Sequence, residues 1–168
     1  MILQGLNTLS SEDAYKLLEQ SCGASQWVHA MVKGRPYKDL DALKQAALTV
    51  WETMKRTDVL EAFDHHPRIG ADIQALRKKF ASTASLSESE QASVAHADEE
   101  TLLALRDGNR KYEARYEHIF IVCATGKSAQ EMLELLEARM DNAPDEELRI
   151  AAAEQAKITQ IRLENIQL

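Results

Sequence analysis

The sequence predicts an all-α protein, a single domain over residues 1–168 with about seven to nine helices. Apolar residues recur at spacings of three and four along most of the chain, as at Leu43, Ala47 and Val50, which is typical of helices with one buried face. No segment alternates apolar and polar residues as a half-buried strand does, and the strand-like run Ile119–Cys123 could not form a sheet alone. Aromatic residues are 5% of the chain and hydrophobic residues 45%, so Ala, Leu, Ile, Val and Met must build the core.

Capping and breaking residues indicate where the helices begin and end. Ser10 with Asp13 predicts one start, Ser128 with Glu131 is a capping-box pattern, and Pro144 suits the first turn of the last helix. The predicted helical segments are, in order, Ser10 to Gly23, Gln26–Lys33, Leu40–Arg56, Asp58–Phe63 with Thr57 as its cap, Asp72–Phe80, one or two helices between Ser87 and His118, Ser128 through Met140, and Pro144 to about Leu163.

The net charge and the cysteine content narrow the class of protein. The formal net charge is −7, from 20 Lys and Arg against 27 Asp and Glu. Nucleic acids and anionic membranes bind clustered positive charge, so neither is an expected partner. Cys22 and Cys123 lie far apart, which favours two reduced thiols over a disulfide framework. No apolar run could cross a bilayer and no secretory signal is visible, so we expect a cytoplasmic protein.

Two of the five histidines stand together in the segment DHHPRIG, Asp64–Gly70. Pro67 disfavours the α conformation at His66, and Gly70 permits a tight turn before the next helix. The pattern therefore indicates that His66 lies at a helix end, on a rigid segment that can present its imidazole to a cavity. An ordinary loop histidine between two helices explains the same local pattern, and local sequence alone favours that interpretation.

Two further positions carry possible chemistry, each with a structural alternative. Ser87 and Glu90 fit the capping-box pattern, and a helix N-terminus also offers N–H donors to an anionic ligand. Arg162 lies on the stripe of the last helix that also contains Gln155 and Ile158. A cation on an inward stripe needs an anionic partner, whereas a cation at the edge of the stripe packs its stem and keeps its head in water.

Other common site motifs are missing from the sequence. Gly126-Lys127-Ser128 lacks the earlier glycine of a phosphate-binding loop, and there is no dinucleotide fingerprint, HExxH or CxxC motif. A metal-dependent phosphohydrolase of the His-Asp type is disfavoured because the order here is Asp64-His65. The sequence thus contains no recognisable metal or cofactor motif.

In combination, these motifs resemble one family, the 2-oxo-4-hydroxy-4-carboxy-5-ureidoimidazoline (OHCU) decarboxylases of urate breakdown. The likeness covers nearly the whole chain, and it departs at Tyr116-Glu117, where family members usually show Phe-Gly. The matching pieces are His66-Pro67-Arg68-Ile69-Gly70, Ser87-x-x-Glu90-Gln91, the run from Tyr112 and Arg115 through Ile119-Phe120-Ile121-Val122-Cys123-Ala124 to Gly126-Lys127-Ser128, Ala138-Arg139-Met140-x-Asn142 with Glu147, and the run from Glu154 to Leu163.

The resemblance implies an all-helical, cofactor-free enzyme, frequently a homodimer, that converts OHCU to S-allantoin. By motif, His66 is the catalytic histidine and Glu90 its acid/base partner, while Arg162 holds anionic or carbonyl groups of the substrate. The implied substrate-binding residues are Pro67, Ser87, Gln91, Phe120, Ile121, Val122, Cys123, Ala124 and Arg162.

The implied chemistry suits these residue types. Decarboxylation leaves an electron pair that a cofactor usually accepts, but the imidazoline ring of OHCU can delocalise the pair itself. A histidine that titrates near neutrality suits the proton transfers that remain. Two alternatives stay open: a helical interaction module without activity, and a lyase or hydrolase acting on a related ureide.

Overall fold

Eight α-helices and no β-strand are present in the residues that the computed structural model describes, namely 2–67, 77 and 88–167, with side chains described except at residue 2 and at 88–98. The all-α prediction is confirmed. The helix predicted over Asp72–Phe80 lies outside the described residues, apart from Arg77. The helices are α1 (Ile2–Thr8), α2 (Ser11–Glu19), α3 (Ser25–Lys33), α4 (Leu40–Glu52), α5 (Arg56–Asp64), α6 (Glu88–Tyr116), α7 (Ala129–Arg139) and α8 (Pro144–Glu164).

Side-chain caps begin α2 and α7 as the sequence predicts. Ser10 Oγ accepts the Asp13 N–H at 3.0 Å. In the capping box of α7, Ser128 Oγ accepts the Glu131 N–H at 3.2 Å and the Glu131 carboxylate accepts the Ser128 N–H at 2.7 Å.

The predicted helices differ from the structure at several points. Helix α1 has no counterpart among the predicted helices, and α4 ends at Glu52 rather than Arg56. The start predicted for α5 at Thr57 and Asp58 is wrong. Asp58 Oδ2 accepts the Lys55 N–H at 2.9 Å, so the helix begins two residues earlier, at Arg56, with Lys55 at the N-cap.

Contacts divide the chain into two compact units, of which the first joins Met1–His66 to Ile150–Leu168. Its core centres on Trp27, which is fully buried and donates its indole N–H to the Ala47 carbonyl at 3.1 Å. Two side chains fix α8 to α4 in this unit: the Trp51 indole donates to the Ala152 carbonyl at 3.0 Å, and the Gln160 amide donates to the Lys44 carbonyl at 3.1 Å. The main core residues are Leu6, Leu18, Trp27, Met31, Leu43 and Leu163.

The second unit is Pro67–Arg149. Helices α6 and α7 pack together here through Leu105, Met132 and Leu136, all fully buried. Gly108 permits their close approach, because a Cβ atom at that position would lie 2.6 Å from a methyl carbon of Leu136.

Two observations apply to the described part of the chain as a whole. None of its helices is both long and apolar enough to cross a membrane. Neither Cys22 nor Cys123 forms a disulfide within these residues, and both are buried.

Candidate active site

The C-terminal end of α5 carries the two adjacent histidines. The helix buries Ala62 and Phe63, and its last turn closes when the His65 and His66 N–H groups donate to their carbonyls at 3.3 and 3.0 Å. Gly23 permits close packing against this turn, because a Cβ atom there would lie 2.1 Å from Cγ of His65. His66 thus follows directly on a helix end, as the sequence predicts, and its imidazole is half-buried.

His66 contacts α8 through a short hydrogen bond with Gln155. Nε2 of the imidazole lies 2.5 Å from Oε1 of Gln155, whose side chain is fully buried. The Gln155 amide group donates to the Thr159 hydroxyl at 3.1 Å, and this hydroxyl donates to the Gln155 backbone carbonyl at 3.0 Å. The amide is therefore hydrogen-bonded at both of its ends.

Arg162 lies on the other side of the imidazole. Its Nη2 is 3.5 Å from Nδ1 of His66, and its Nη1 donates to the Gln20 carbonyl at 3.4 Å. Both contacts are long for hydrogen bonds. No carboxylate of the described residues lies within 4.0 Å of this half-buried guanidinium. Such a cation is well suited to receive an anionic group from a ligand.

The pKa of His66 is lowered from the ordinary histidine value of 6.5. Burial is the main cause, and the neighbouring charges of Arg162 and His65 act in the same direction, while the hydrogen bond to the Gln155 oxygen opposes them. Burial also lowers the pKa of Arg162, which nevertheless stays protonated. The site therefore pairs a neutral imidazole with a charged guanidinium at neutral pH.

Cys22 borders this cluster without taking part in proton transfer near neutral pH. The thiol is fully buried, and burial raises its pKa to about 11 despite hydrogen bonds with the Ala24 backbone and the Thr159 side chain. The charge of Arg162 also favours the thiolate, but burial outweighs it. Cys22 is thus a protonated, poorly nucleophilic thiol.

The second unit holds the segment Phe120–Ala124, whose backbone the resemblance assigns to substrate binding. Arg139 donates to the Ile121 carbonyl at 2.7 Å, and its guanidinium lies 4.6 Å from the centroid of the Phe120 ring. Lys127 Nζ donates to the Cys123 carbonyl at 2.7 Å. Residues Phe120 through Cys123 are buried and Ala124 is half-buried, and two of the carbonyls of this segment already accept hydrogen bonds from within the chain.

A buried ion pair supports that segment. Glu147 is fully buried and accepts from Arg139 Nε at 2.7 Å, from Asn142 at 3.0 Å, and from the Tyr112 hydroxyl. Burial and this carboxylate raise the pKa of the Tyr112 phenol, which therefore stays protonated. The Arg139 and Glu147 motif residues thus form a polar core of the second unit.

Some predicted site residues are not placed. Ser87 lies outside the described residues, and so does its predicted capping box with Glu90. Glu90 and Gln91 belong to the N-terminal end of α6, but their side chains fall in the part of that helix that is not described. Pro67 follows His66 and is exposed.

Among the predicted site residues, the structure brings His66 and Arg162 together. It adds Gln155 and Thr159, which sequence reasoning did not select as site residues. Both lie one or two turns before Arg162 on the same stripe of α8, and that shared stripe was the available signal.

The described helices thus define an all-α protein with a small polar site of histidine, amide and guanidinium. Within the described residues, no group of three or more His, Cys, Asp or Glu side chains could hold a metal ion. Residues 7–164 match the family model described as OHCU decarboxylase. The chain belongs to the OHCU decarboxylase family.

Similar proteins and structures agree with this family. The chain is 36% identical to the uric acid degradation bifunctional protein TTL of Arabidopsis thaliana over 90% of its own length, but it spans only 46% of that protein. It is 24% identical to the 2-oxo-4-hydroxy-4-carboxy-5-ureidoimidazoline decarboxylase of Haloferax volcanii, covering 97% of this chain and 94% of that one. A crystal structure of an OHCU decarboxylase in the presence of (S)-allantoin superposes with a TM-score of 0.72 at 31% identity, over 94% of this chain and 97% of the other.

Proposed function

We propose that this chain decarboxylates OHCU to S-allantoin in urate breakdown. The observation that carries the proposal is the half-buried Arg162 guanidinium, which has no carboxylate partner within the described residues and faces Nδ1 of a neutral His66. Membership of the family and the likeness to the uric acid degradation protein of Arabidopsis thaliana and the decarboxylase of Haloferax volcanii support the same reaction.

The reaction needs proton transfer and orientation. The bond between the ring carbon and the carboxylate breaks, CO₂ leaves, and the electron pair moves into the imidazoline ring, where a ring nitrogen takes up one proton. The hydroxyl on the same carbon then loses its proton to become a carbonyl, and the neighbouring ring carbon gains a proton on one face. Because the substrate ring accepts the electron pair, we propose that no cofactor takes part.

The residues of the site perform the proton transfer and the orientation of the substrate. Arg162 binds the carboxylate or a carbonyl of the substrate by charge-assisted hydrogen bonds, which orients the bond that breaks. His66 exchanges protons with the substrate as a coupled pair with Glu90. Ser87 and Gln91 donate or accept hydrogen bonds with the substrate ring. Backbone groups of Phe120 to Ala124 line this ring, and Pro67 also contacts the substrate.

We further propose that the chain acts in the cytoplasm as a homodimer, with OHCU as its small-molecule partner and with neither nucleic acid nor membrane as a partner. The dimer rests on the family resemblance. Sedimentation equilibrium at several protein concentrations tests it, and a single species with the mass of one chain would contradict it.

The test of the activity uses freshly prepared OHCU and follows the optical activity of the product. We expect wild type to form S-allantoin faster than the uncatalysed background, and His66→Asn to lose about 100-fold or more of the rate, the usual effect of an acid/base residue. His29→Asn is the matched control, because His29 is an exposed histidine of the same unit. A folded His66→Asn protein with the wild-type rate would reject the role of His66.

Arg162→Lys tests substrate binding separately. Lysine keeps the charge but cannot form two parallel bonds to a carboxylate, so we expect KM to rise about 10-fold or more with a smaller change in kcat. An unchanged KM would contradict the assignment of Arg162.

The alternatives predict other outcomes. A non-catalytic interaction module leaves the decay of OHCU at its background rate with wild type and all variants. An enzyme for another ureide leaves OHCU untouched but turns over or binds that ureide.

A further inference from the structure

We propose that Gln155 is a positioning residue that sets the tautomer of His66, with the proton on Nε2 and the lone pair on Nδ1. The proposal rests on the proposed function, because the consequence for catalysis requires His66 to exchange protons with the substrate. Its structural part, the tautomer, can be measured without any substrate.

The hydrogen-bond donors around the imidazole leave one consistent arrangement. The short contact decides the tautomer: Gln155 Oε1 only accepts and lies 2.5 Å from Nε2, so Nε2 carries the proton and donates it to Gln155. A neutral imidazole with a protonated Nε2 carries its lone pair on Nδ1. Arg162 Nη2, which only donates, lies 3.5 Å from Nδ1, a contact that fits this tautomer but is too long to set it alone.

The orientation of the Gln155 amide is set in turn by Thr159. The Thr159 hydroxyl gives its single proton to the Gln155 backbone carbonyl, so its oxygen is free to accept from the Gln155 amide group. If the amide were flipped, its oxygen would face the Thr159 oxygen, whose only proton is already donated to the backbone carbonyl, and neither atom could donate to the other.

Burial keeps water from replacing Gln155 as the hydrogen-bond partner of His66. The Gln155 side chain is fully buried and Thr159 is 5% exposed, so water does not replace the amide. The charged or titratable groups that act on His66 in the described residues are Arg162 from α8 and His65 from the end of α5, both of which oppose a second proton on the ring. The Cys22 thiol behind Thr159 is protonated and adds no charge.

The arrangement has a direct chemical consequence. The lone pair of Nδ1 faces the same space as the Arg162 guanidinium, so a carboxylate bound by Arg162 brings its neighbouring hydroxyl towards a proton acceptor. In the opposite tautomer an N–H would point at the guanidinium, and the base would be lost. A buried outer partner that holds a functional histidine in one tautomer is a common device in metal sites, where its loss costs about 10- to 100-fold.

The tautomer is tested by NMR on ¹⁵N-labelled protein, with His66 assigned by its absence from the spectrum of His66→Asn. We expect long-range ¹H–¹⁵N correlations near neutral pH to show a protonated Nε2 and an unprotonated Nδ1. In Gln155→Leu we expect a mixture of tautomers. Gln160→Leu is the matched control, because Gln160 lies on the same helix but donates to the Lys44 carbonyl, and we expect it to keep the wild-type spectrum.

Kinetics test the consequence for catalysis. Gln155→Leu is expected to lower kcat about 10- to 100-fold with little change in KM. Gln155→Glu restores an acceptor for the Nε2 proton, so it is expected to recover part of kcat while its charge moves the acidic limb of the pH profile to higher pH. This shift is a readout that a purely structural role of Gln155 would not produce.

Two results would overturn the proposal: a protonated Nδ1 in the wild-type protein, or a folded Gln155→Leu variant with the wild-type tautomer. If the tautomer follows Gln155 as expected while His66→Asn keeps full activity, the positioning role stands and the proposed function fails. The two hypotheses are therefore separated by the same set of variants.

Discussion

His66 and Arg162 illustrate how the surroundings of a residue decide its chemistry. The imidazole lies between a neutral amide at 2.5 Å and a cation at 3.5 Å, and it is half-buried. These surroundings keep it neutral, although a free histidine would be partly protonated at mildly acidic pH. The guanidinium keeps its charge in the same place and has only long internal contacts.

The lowered pKa of His66 predicts the pH dependence of the reaction. If neutral His66 acts as the base, kcat/KM falls as the pH drops through the pKa of the folded enzyme, so the limb that His66 contributes lies below 6.5. A pH profile of kcat/KM with OHCU, corrected for background decay, measures this limb. A limb assigned to His66 above 6.5 would contradict the prediction.

The lowered pKa of His66 also makes the folded protein less stable as the pH falls. The unfolded chain takes up the proton at the ordinary value of 6.5 and the folded chain only at lower pH, so the contribution of His66 to stability is lost as the pH falls from 6.5 through the folded pKa. His66→Asn should weaken this part of the acid destabilisation, which urea unfolding at several pH values detects.

At the scale of the helices, the residue that ends a helix must adopt a particular backbone conformation, as the end of α6 shows. Glu117 follows α6 with φ of 60°, the left-handed region that favours glycine, and its N–H donates to the Glu113 carbonyl at 2.9 Å. Glu117 stands where members of the OHCU decarboxylase family usually have the glycine of a Phe-Gly pair. The glycine of that pattern is thus explained by the backbone, because a residue with Cβ is strained in this conformation.

Glu117→Gly is therefore expected to stabilise the protein by about 1 kcal/mol. The substitution relieves strain in the folded state, although it also gives the unfolded chain more freedom, which reduces the gain. Urea unfolding measures the difference. Thr53→Gly is the control, because Thr53 caps α4 with an ordinary φ of −90°, and it should lose stability rather than gain it.

The Arg139–Glu147 pair connects three elements of the second unit: α7, the start of α8 and the segment at Ile121. Arg139→Leu leaves Glu147 buried without its cation, so we expect a loss of about 3–5 kcal/mol in the free energy of unfolding. The double variant Arg139→Leu with Glu147→Leu should recover part of this loss, because no buried charge then remains unpaired.

The buried Arg139–Glu147 pair can be compared with an exposed ion pair of the same chain. Lys16 and Glu12 form an i,i+4 pair on α2 whose side chains are 65% and 78% exposed. Lys16→Met should cost no more than about 1 kcal/mol. Equal losses for Lys16→Met and Arg139→Leu in urea unfolding would contradict the structural role of the buried pair.

At the scale of the whole molecule, net charge and local charge differ in sign. The chain carries −7 overall, yet the candidate site presents an arginine without a described carboxylate partner. The net charge predicts no long-range attraction of polyanions, but short charge-assisted bonds in a partly buried site do not depend on net charge. We therefore expect the molecule to bind a small anion without binding nucleic acid.

The change in thermal stability on ligand addition tests whether the molecule binds a small ligand but not nucleic acid. We expect (S)-allantoin to raise Tm with increasing concentration, because a ligand that binds only the folded state stabilises it, by about 2.7 kcal/mol at 100 times its Kd. Duplex DNA should leave Tm unchanged. In Arg162→Gln the shift with allantoin should shrink, and an undiminished shift would contradict binding at Arg162.

Local interactions explain what the sequence by itself determined. The all-α class, the Ser10 and Ser128 caps, and the place of His66 after a helix depend on residues a few positions apart, so they can be read from a short stretch of chain. The domain extent 1–168 and the roles of Ser87, Glu90 and Gln91 stay predictions.

Only the tertiary structure decided the partners of these residues. Gln155 lies 89 positions from His66 and Arg162 lies 96 positions from it, and no local pattern specifies which side chains meet across such separations. The same holds for Arg139 and Glu147, which the motif marks but whose role as a buried ion pair beneath Ile121 follows from packing. Burial then determines the protonation states, because the cost of a charge depends on the water that folding removes.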